Sequence, residues 1–114
     1  MPWALHYTGS ARSDFTDISL SGDFTITFRI KFDTMSGNQF ILGSDNVTTT
    51  WVGWFNSNMI TRVSGVNITI PTDPVADVWY DFTIERVGST VTFSEPSLGS
   101  ANGTQIANIP FNQI

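Results

Sequence analysis

The chain has 114 residues, of which 40% are hydrophobic and 13% charged, and its formal net charge is −5. Because domains most often hold roughly 100–150 residues, residues 1–114 fit one domain, and the apolar share excludes a disordered chain. The five basic residues are scattered and include a single lysine, Lys31, so no basic patch forms and nucleic acid is excluded as a partner. The absence of cysteine excludes disulfides, zinc–thiolate sites and thiol catalysis.

The sequence also indicates which targeting signals we expect. The start, MPWALHYTGS, lacks the basic and long apolar segments of a cleavable signal peptide. No apolar run approaches the roughly 18–20 residues that cross a membrane, so we expect no membrane insertion. Either the protein stays inside the cell or it leaves without a cleavable signal, for example when virus particles are released by lysis. We expect the second, an extracellular or virion-surface location.

Short alternating segments fill the chain from its start. Residues 3–7 and 15–20 are the first two predicted strands, and the clearest one follows at 24–32, in GDFTITFRIKF. There five apolar residues alternate with polar ones at period two, which predicts a strand with one face on a core and the other in water. We expect burial of the large apolar side chains in this strand and in the later strand around residue 82, namely Phe24, Phe28, Phe32, Phe82 and Ile84.

The rest of the chain continues the pattern. A compact apolar run at 40–42 is followed by predicted strands at about 50–55, 59–63 and 66–70, joined by turns rich in Asn, Ser and Gly. After a proline-bracketed loop, WYDFTIERVGSTVTF predicts a hairpin with its turn at Gly88-Ser89. Many short strands without a helical period predict an all-β, antiparallel sandwich or barrel.

The order of these segments resembles the concanavalin A-like sandwich, in particular its laminin-G-like branch. The resemblance covers roughly residues 4–94 and rests on ALHYTG, LSGDFTITFRIKFD, NQFILGSDN, WVGWF and WYDFTIERVGSTVTF. It implies an antiparallel jelly-roll β-sandwich. Two features depart from the family: Phe93-Ser94-Glu95-Pro96 replaces an aromatic residue followed by Asp-Gly, and family members continue with further strands beyond FNQI.

The resemblance raises the question of catalysis, since this superfamily contains glucanases, whose catalytic carboxylates lie on one strand in the pattern E-x-D-x-x-E. The only glutamates, Glu85 and Glu95, do not fit that pattern. Asp81 and Glu85 share a strand face, but the rise per residue places them roughly 13 Å apart, wider than glycoside hydrolysis needs. We therefore expect a protein that is not an enzyme and has no catalytic residues.

Calcium is a ligand that the resemblance implies, because laminin-G-like and lectin domains often hold it in a rim loop. Asp45 in one predicted loop, with Asp73 and Asp77 in another, are the weak candidate ligands, since a hard cation needs several converging oxygens. No D-x-[DN]-x-[DN]-G spacing accompanies them, and loop acids are usually solvated. We expect no cofactor, with calcium as the one alternative.

Trp51 and Trp54 lie on one predicted strand and, by its alternation, on opposite faces. If Trp51 and Phe55 belong to the core, Trp54 is exposed on the other face beside Asn56. An exposed indole among Asn, Ser and Thr is the platform that a sugar ring needs. Trp54, Asn56 and Trp51 are therefore the candidate glycan-binding residues; the equal alternative is that a loop or a neighbouring subunit covers Trp54.

The C-terminal segment IANIPFNQI is uncharged and holds four large apolar residues, Ile106, Ile109, Phe111 and Ile114. A terminus is normally polar unless something ties it down, and an uncharged sheet edge is a template for pairing with another chain. We expect this segment to mediate assembly with other subunits, as a homo-oligomer or on a larger particle. The alternative is that it folds back into its own sandwich.

Taken together, these features favour a non-enzymatic, lectin-fold surface module that acts by binding or assembly. The Thr-, Asn-, Ser- and Gly-rich strands and the scarcity of lysine are typical of viral or phage structural components such as capsid decorations and fibre domains. The alternative is a free carbohydrate-binding lectin or adhesin domain whose partners are cell-surface glycans.

Overall fold

A computed structural model describes residues 14–44, 47–104 and 109–113, and all regular elements within them are strands. In chain order they are β1 (Asp14–Leu20), β2 (Phe24–Lys31), β3 (Gln39–Ser44), β4 (Val47–Phe55), β5 (Asn58–Val63), β6 (Val66–Thr69), β7 (Trp79–Val87), β8 (Thr90–Glu95), β9 (Gly99–Thr104) and β10 (Ile109–Gln113). The all-β prediction is confirmed. The predicted strand at 3–7 lies outside the described residues, and within these residues there is no helix that could span a membrane.

The strands form two antiparallel sheets. One has six strands in the order β1-β10-β3-β4-β5-β6, and the other has four in the order β2-β7-β8-β9. Three tight hairpins, β4–β5, β5–β6 and β7–β8, were predicted from their turn residues and are confirmed. Asn56 and Ser57 in the first turn, and Ser64 and Gly65 in the second, adopt positive φ, the backbone that two-residue hairpin loops require.

The two sheets share one core. Val52, Trp54 and Met59 from the six-stranded sheet pack in the same cluster as Phe82 and Phe93 from the four-stranded sheet. The strand β7 shows why the sequence folds this way: its residues alternate between exposed and buried from end to end, so one face joins the core and the other meets solvent. The sandwich-like arrangement follows from this shared core.

The predicted core is confirmed in part. Phe32, Phe82 and Ile84 are buried, whereas Phe24 and Phe28 are only partly buried. The difference follows from topology, because β2 is the edge of its sheet and only β7 pairs with it among the described strands. Phe28 nevertheless stacks on Phe82, with ring centroids 5.3 Å apart.

Candidate functional site

We expected Trp51 and Phe55 of β4 to face the core, but Val52 and Trp54 do so instead. Trp54 is only 6% exposed and belongs to the core cluster together with Val52. Its indole N–H donates to the carbonyl oxygen of Met35 at 3.2 Å. The prediction of an exposed Trp54 is therefore wrong, and a ring in this position has no free face for a sugar.

Trp51 lies on the other face of β4, in an aromatic cluster outside the core. Its ring is 5.2 Å from that of Phe40 and 5.3 Å from that of Phe55. Trp51 is 7% exposed, while Phe40 is 58% exposed. Both tryptophans are thus buried. The sequence does not show which face of β4 is inward, because Trp51 and Phe55 are as apolar as Val52 and Trp54.

Asn56, the third candidate of the predicted glycan platform, is exposed in the β4–β5 turn. Its backbone N–H donates to the side-chain oxygen of Asn38 at 3.1 Å, and its carbonyl accepts from the side chain of Asn58. Asn56 therefore has a turn-forming role. The structure does not bring Trp51, Trp54 and Asn56 together on one surface.

A different surface combines an exposed tryptophan with many hydroxyl groups. It is the solvent side of the four-stranded sheet, which we call the outer face. Six threonines, two serines and one asparagine account for nine of its fifteen positions. The positions are Thr25, Thr27, Arg29 and Lys31 on β2; Trp79, Asp81, Thr83, Glu85 and Val87 on β7; Thr90, Thr92 and Ser94 on β8; and Ser100, Asn102 and Thr104 on β9.

Strand register arranges these side chains in rows across the outer face. One row runs through Thr27, Thr83, Ser94 and Ser100, so that each of the four strands contributes a hydroxyl. The next row runs through Thr25, Glu85, Thr92 and Asn102. Neighbouring strands lie about 4.8 Å apart, and same-face residues on one strand about 6.8 Å apart. The rows therefore form a regular array of hydrogen-bonding groups.

Trp79 stands at one end of this array and is 43% exposed. Lys31 is its register partner on β2. The Lys31 ammonium nitrogen lies 5.7 Å from the indole centroid, and the Arg29 guanidinium carbon lies 5.3 Å from it. Both distances fall within the range of cation–π attraction, which restrains the ring at the surface.

Arg29 also meets a carboxylate on the outer face. Its Nε is 3.6 Å from Oδ1 of Asp81, and both side chains are largely exposed. An exposed pair of this kind contributes little to stability. Both side chains keep exposed polar atoms close to Trp79, where the guanidinium can donate to a ligand hydroxyl and the carboxylate can accept from one.

The acidic residues weighed for catalysis are held in other roles. Asp81 and Glu85 share the exposed face of β7, as their spacing predicted. The buried carboxylate of Glu95 accepts hydrogen bonds from the backbone N–H groups of Ser97 and Leu98 and from the Ser97 hydroxyl. Glu95 therefore fixes the turn between β8 and β9.

Two of the three candidate calcium ligands lie in one loop of the described structure. Asp73 and Asp77 are exposed in the loop before β7, and Asp45 lies outside the described residues. No group of three His, Cys, Asp or Glu side chains within the described parts of the chain could hold a metal ion. The backbone N–H of Asp77 instead donates to Phe32 at 2.8 Å, so this residue anchors the loop to the end of β2.

The C-terminal segment has a partner within its own chain. Ile109 and Phe111 belong to β10, which lies between β1 and β3 and pairs Phe111 with Ile18. For residues 109–113 the alternative of a tail that folds back is the one observed, while β9, which precedes this segment, is an edge of the four-stranded sheet among the described strands. Ile106 and Ile114 lie outside the described residues, and assembly itself stays a prediction.

Sequence reasoning missed Trp79 as a surface residue, although the signal was present. Tyr80, Phe82 and Ile84 alternate along β7 and predict the inward face. Trp79, Asp81, Thr83 and Glu85 occupy the other parity and therefore face solvent. Reading both parities of the strand would have placed a tryptophan among polar residues.

Comparison with known proteins adds no assignment. A scan against family models finds no match, and neither curated proteins nor solved structures give one.

Proposed function

We propose that this protein is a non-enzymatic binding module of lectin type, and that the outer face of the four-stranded sheet binds a saccharide. The observation that carries the proposal is Trp79, an exposed indole at the end of a regular array of hydroxyl groups. A sugar ring offers a C–H face to an aromatic plate and hydroxyls to polar neighbours. On the outer face Trp79 supplies the plate, Arg29 and Asp81 are the polar groups next to it, and the hydroxyl rows follow further along the strands.

The polar groups around Trp79 suit both roles of a sugar hydroxyl. Arg29 offers only donors and Asp81 only acceptors, and Thr83, whose hydroxyl offers both, lies roughly 14 Å further along β7. Arg29 and Asp81 lie 3.6 Å apart, so one sugar hydroxyl beside them meets a donor and an acceptor together. Trp79 would contribute the largest share of the affinity, because aromatic anchors dominate binding surfaces.

The same proposal covers the finer fold assignment. Two antiparallel sheets around one core support a concanavalin A-like, jelly-roll sandwich, and the order of the sequence motifs supports its laminin-G-like branch. Cell-surface glycans at an extracellular or virion surface are the partners that suit such a module. Fold alone does not fix function, so the saccharide proposal depends on the outer face.

A glycan array followed by calorimetry tests the proposal. Trp79→Ala should abolish saccharide binding, and Trp79→Tyr should keep part of it because a smaller aromatic plate remains. Phe40→Ala is the matched control, since Phe40 is also an exposed aromatic residue on a strand but belongs to the other sheet. The proposal fails if no glycan binds, or if Trp79→Ala binds as tightly as the unchanged chain.

Assembly is the second candidate function, and the sheet edges favour it. Among the described strands β6 and β9 lie at the edges of the two sheets and near each other. Residues 66–69 and 99–104 contain no charged side chain. Uncharged edges invite pairing with another chain. A viral or phage structural component would use this side of the molecule to join neighbouring subunits.

Light scattering at micromolar concentration tests the assembly proposal. Val66→Lys places a charge on the exposed edge of β6 and should convert an oligomer into a monomer without lowering Tm. Val87→Lys is the control, because Val87 is also exposed to solvent but lies on an interior strand. A monomeric unchanged chain that joins no larger particle would rule assembly out.

A further inference from the structure

We infer that the ligand of the outer face is an extended, uncharged polysaccharide chain that lies across the array from Trp79, rather than a single terminal sugar. This inference rests on the proposed saccharide function and names its substrate class. Three observations carry it: the charge balance of the outer face, the distribution of its hydrogen-bonding groups, and its length.

The charge balance of the outer face favours a neutral ligand. The outer face holds two cations, Arg29 and Lys31, and two anions, Asp81 and Glu85. Its formal charge is therefore zero, although the whole chain carries −5. Arg29 is 3.6 Å from Asp81, and Lys31 joins Arg29 at the Trp79 ring, so the two cations lie together at that end of the face and Asp81 balances one of them. Complementary surfaces match in charge, so the face suits a neutral saccharide.

The hydrogen-bonding groups are spread over the outer face and do not converge on one point. The row of Thr27, Thr83, Ser94 and Ser100 crosses all four strands, and the row with Thr25 and Asn102 repeats it one step further from Trp79. A terminal sugar is recognised by a few polar groups around a concave pocket. Parallel rows on an open sheet instead offer the same contacts repeatedly, as a chain of similar sugars requires.

The length of the outer face also fits a chain. From Trp79 to Val87 the strand β7 advances eight residues, which is roughly 27 Å at about 3.4 Å per residue. That distance is several times the length of one pyranose ring. A single sugar stacked on Trp79 would leave most of the hydroxyl rows unused, whereas a chain would contact them in turn.

Calorimetry with oligosaccharides of increasing length tests this inference. The probes are neutral malto-, cello-, laminari- and manno-oligosaccharides of two and six units, with alginate and polygalacturonate as acidic polymers. We expect at least a tenfold higher affinity for a hexasaccharide than for the matching disaccharide. Affinity should change less than twofold between low and high salt, because exposed charges are screened but a neutral ligand does not depend on them.

Variants at the two ends of the outer face separate this inference from the proposed function. Asn102→Ala, far from Trp79, should weaken the hexasaccharide several-fold and leave the disaccharide unchanged, whereas Trp79→Ala should weaken both. Asn102→Ser provides a milder variant if the alanine variant is unstable. Equal affinity for disaccharide and hexasaccharide, or salt-sensitive preference for the acidic polymers, overturns the extended neutral ligand while the saccharide function stands. Binding of no saccharide at all overturns both.

Discussion

Gly53 of β4 and Phe40 of β3 are register partners, and the backbone around Phe40 leaves no room for a side chain at position 53. A Cβ atom at position 53 would lie 3.0 Å from the Cα of Phe40 and would overlap the carbonyl oxygen of Gln39. The partners on this side are backbone atoms, which cannot move away as a flexible side chain could. The approach of these two strands therefore requires glycine at this position.

Gly53→Ala should lower the free energy of unfolding by about 2–3 kcal/mol, because the added methyl group forces the strands apart. Urea denaturation followed by tryptophan fluorescence measures the loss. Gly43→Ala is the control: its nearest neighbour would be the Cβ of Trp51 at 3.9 Å, so its effect should stay below about 1 kcal/mol. Equal losses for the two variants would contradict this account.

Phe82→Ala should be the more damaging of two related core substitutions. Phe82 is fully buried and its ring contacts those of Phe28, Tyr80 and Phe93. Its removal should cost about 3–5 kcal/mol. Phe28→Ala should cost less, about 2 kcal/mol, because Phe28 is partly exposed on an edge strand. The same denaturation curves decide, and a larger loss for Phe28 would reverse the order.

Thr61→Val should stabilise the protein. The Thr61 hydroxyl is fully buried and finds no hydrogen-bond partner within the described parts of the chain, so its replacement by a methyl group removes a desolvation cost of about 1 kcal/mol or more. Thr50→Val is the matched control, since the buried Thr50 hydroxyl accepts a hydrogen bond from the N–H of Ser64 at 3.3 Å. That variant should lose about 1 kcal/mol. The opposite signs in Tm are the test.

Deletion of residues 109–114 should destabilise the chain instead of merely changing its oligomeric state. The deletion removes β10, which pairs with β1 along most of its length and with β3 at Gln113. Loss of this strand should lower Tm by roughly 12 °C or more, which corresponds to about 3 kcal/mol in a domain of this size. Circular dichroism measures the change, and an unaltered cooperative transition would show that β10 does not support the sheet.

Much of the strand pattern could be predicted from the sequence, because it is set locally. The period-two alternation of β2 and the Asn-, Ser- and Gly-containing turns each carry their own structural preference. The strands β9 and β10 could not be predicted in this way. Their residues, GSANGT and IPFNQ, include Gly and Pro, which are depleted in strands, and long-range pairing with β8 and β1 determines their structure.

The candidate site shows a second limit of sequence reasoning. Alternation divides a strand into two faces but does not say which one is inward when both are apolar. On β4 the pair Trp51 and Phe55 competes with Val52 and Trp54, and the packing of Trp54 against the opposite sheet decides the outcome. On β7 only one face is apolar, so the exposure of Trp79 follows from the sequence itself.

The pairing of Ile18 with Phe111 joins the two ends of the described chain, and this has a consequence for folding kinetics. Proteins dominated by contacts between distant residues fold slowly, typically in milliseconds to seconds. The entropy lost on closing a long loop must be spent before the contacts that offset it can form. The three neighbouring strands β7, β8 and β9 follow one another along the chain and need no such closure. We therefore expect the hairpins that carry most of the outer face to form early. The insertion of β10 between β1 and β3 should then limit the rate of folding.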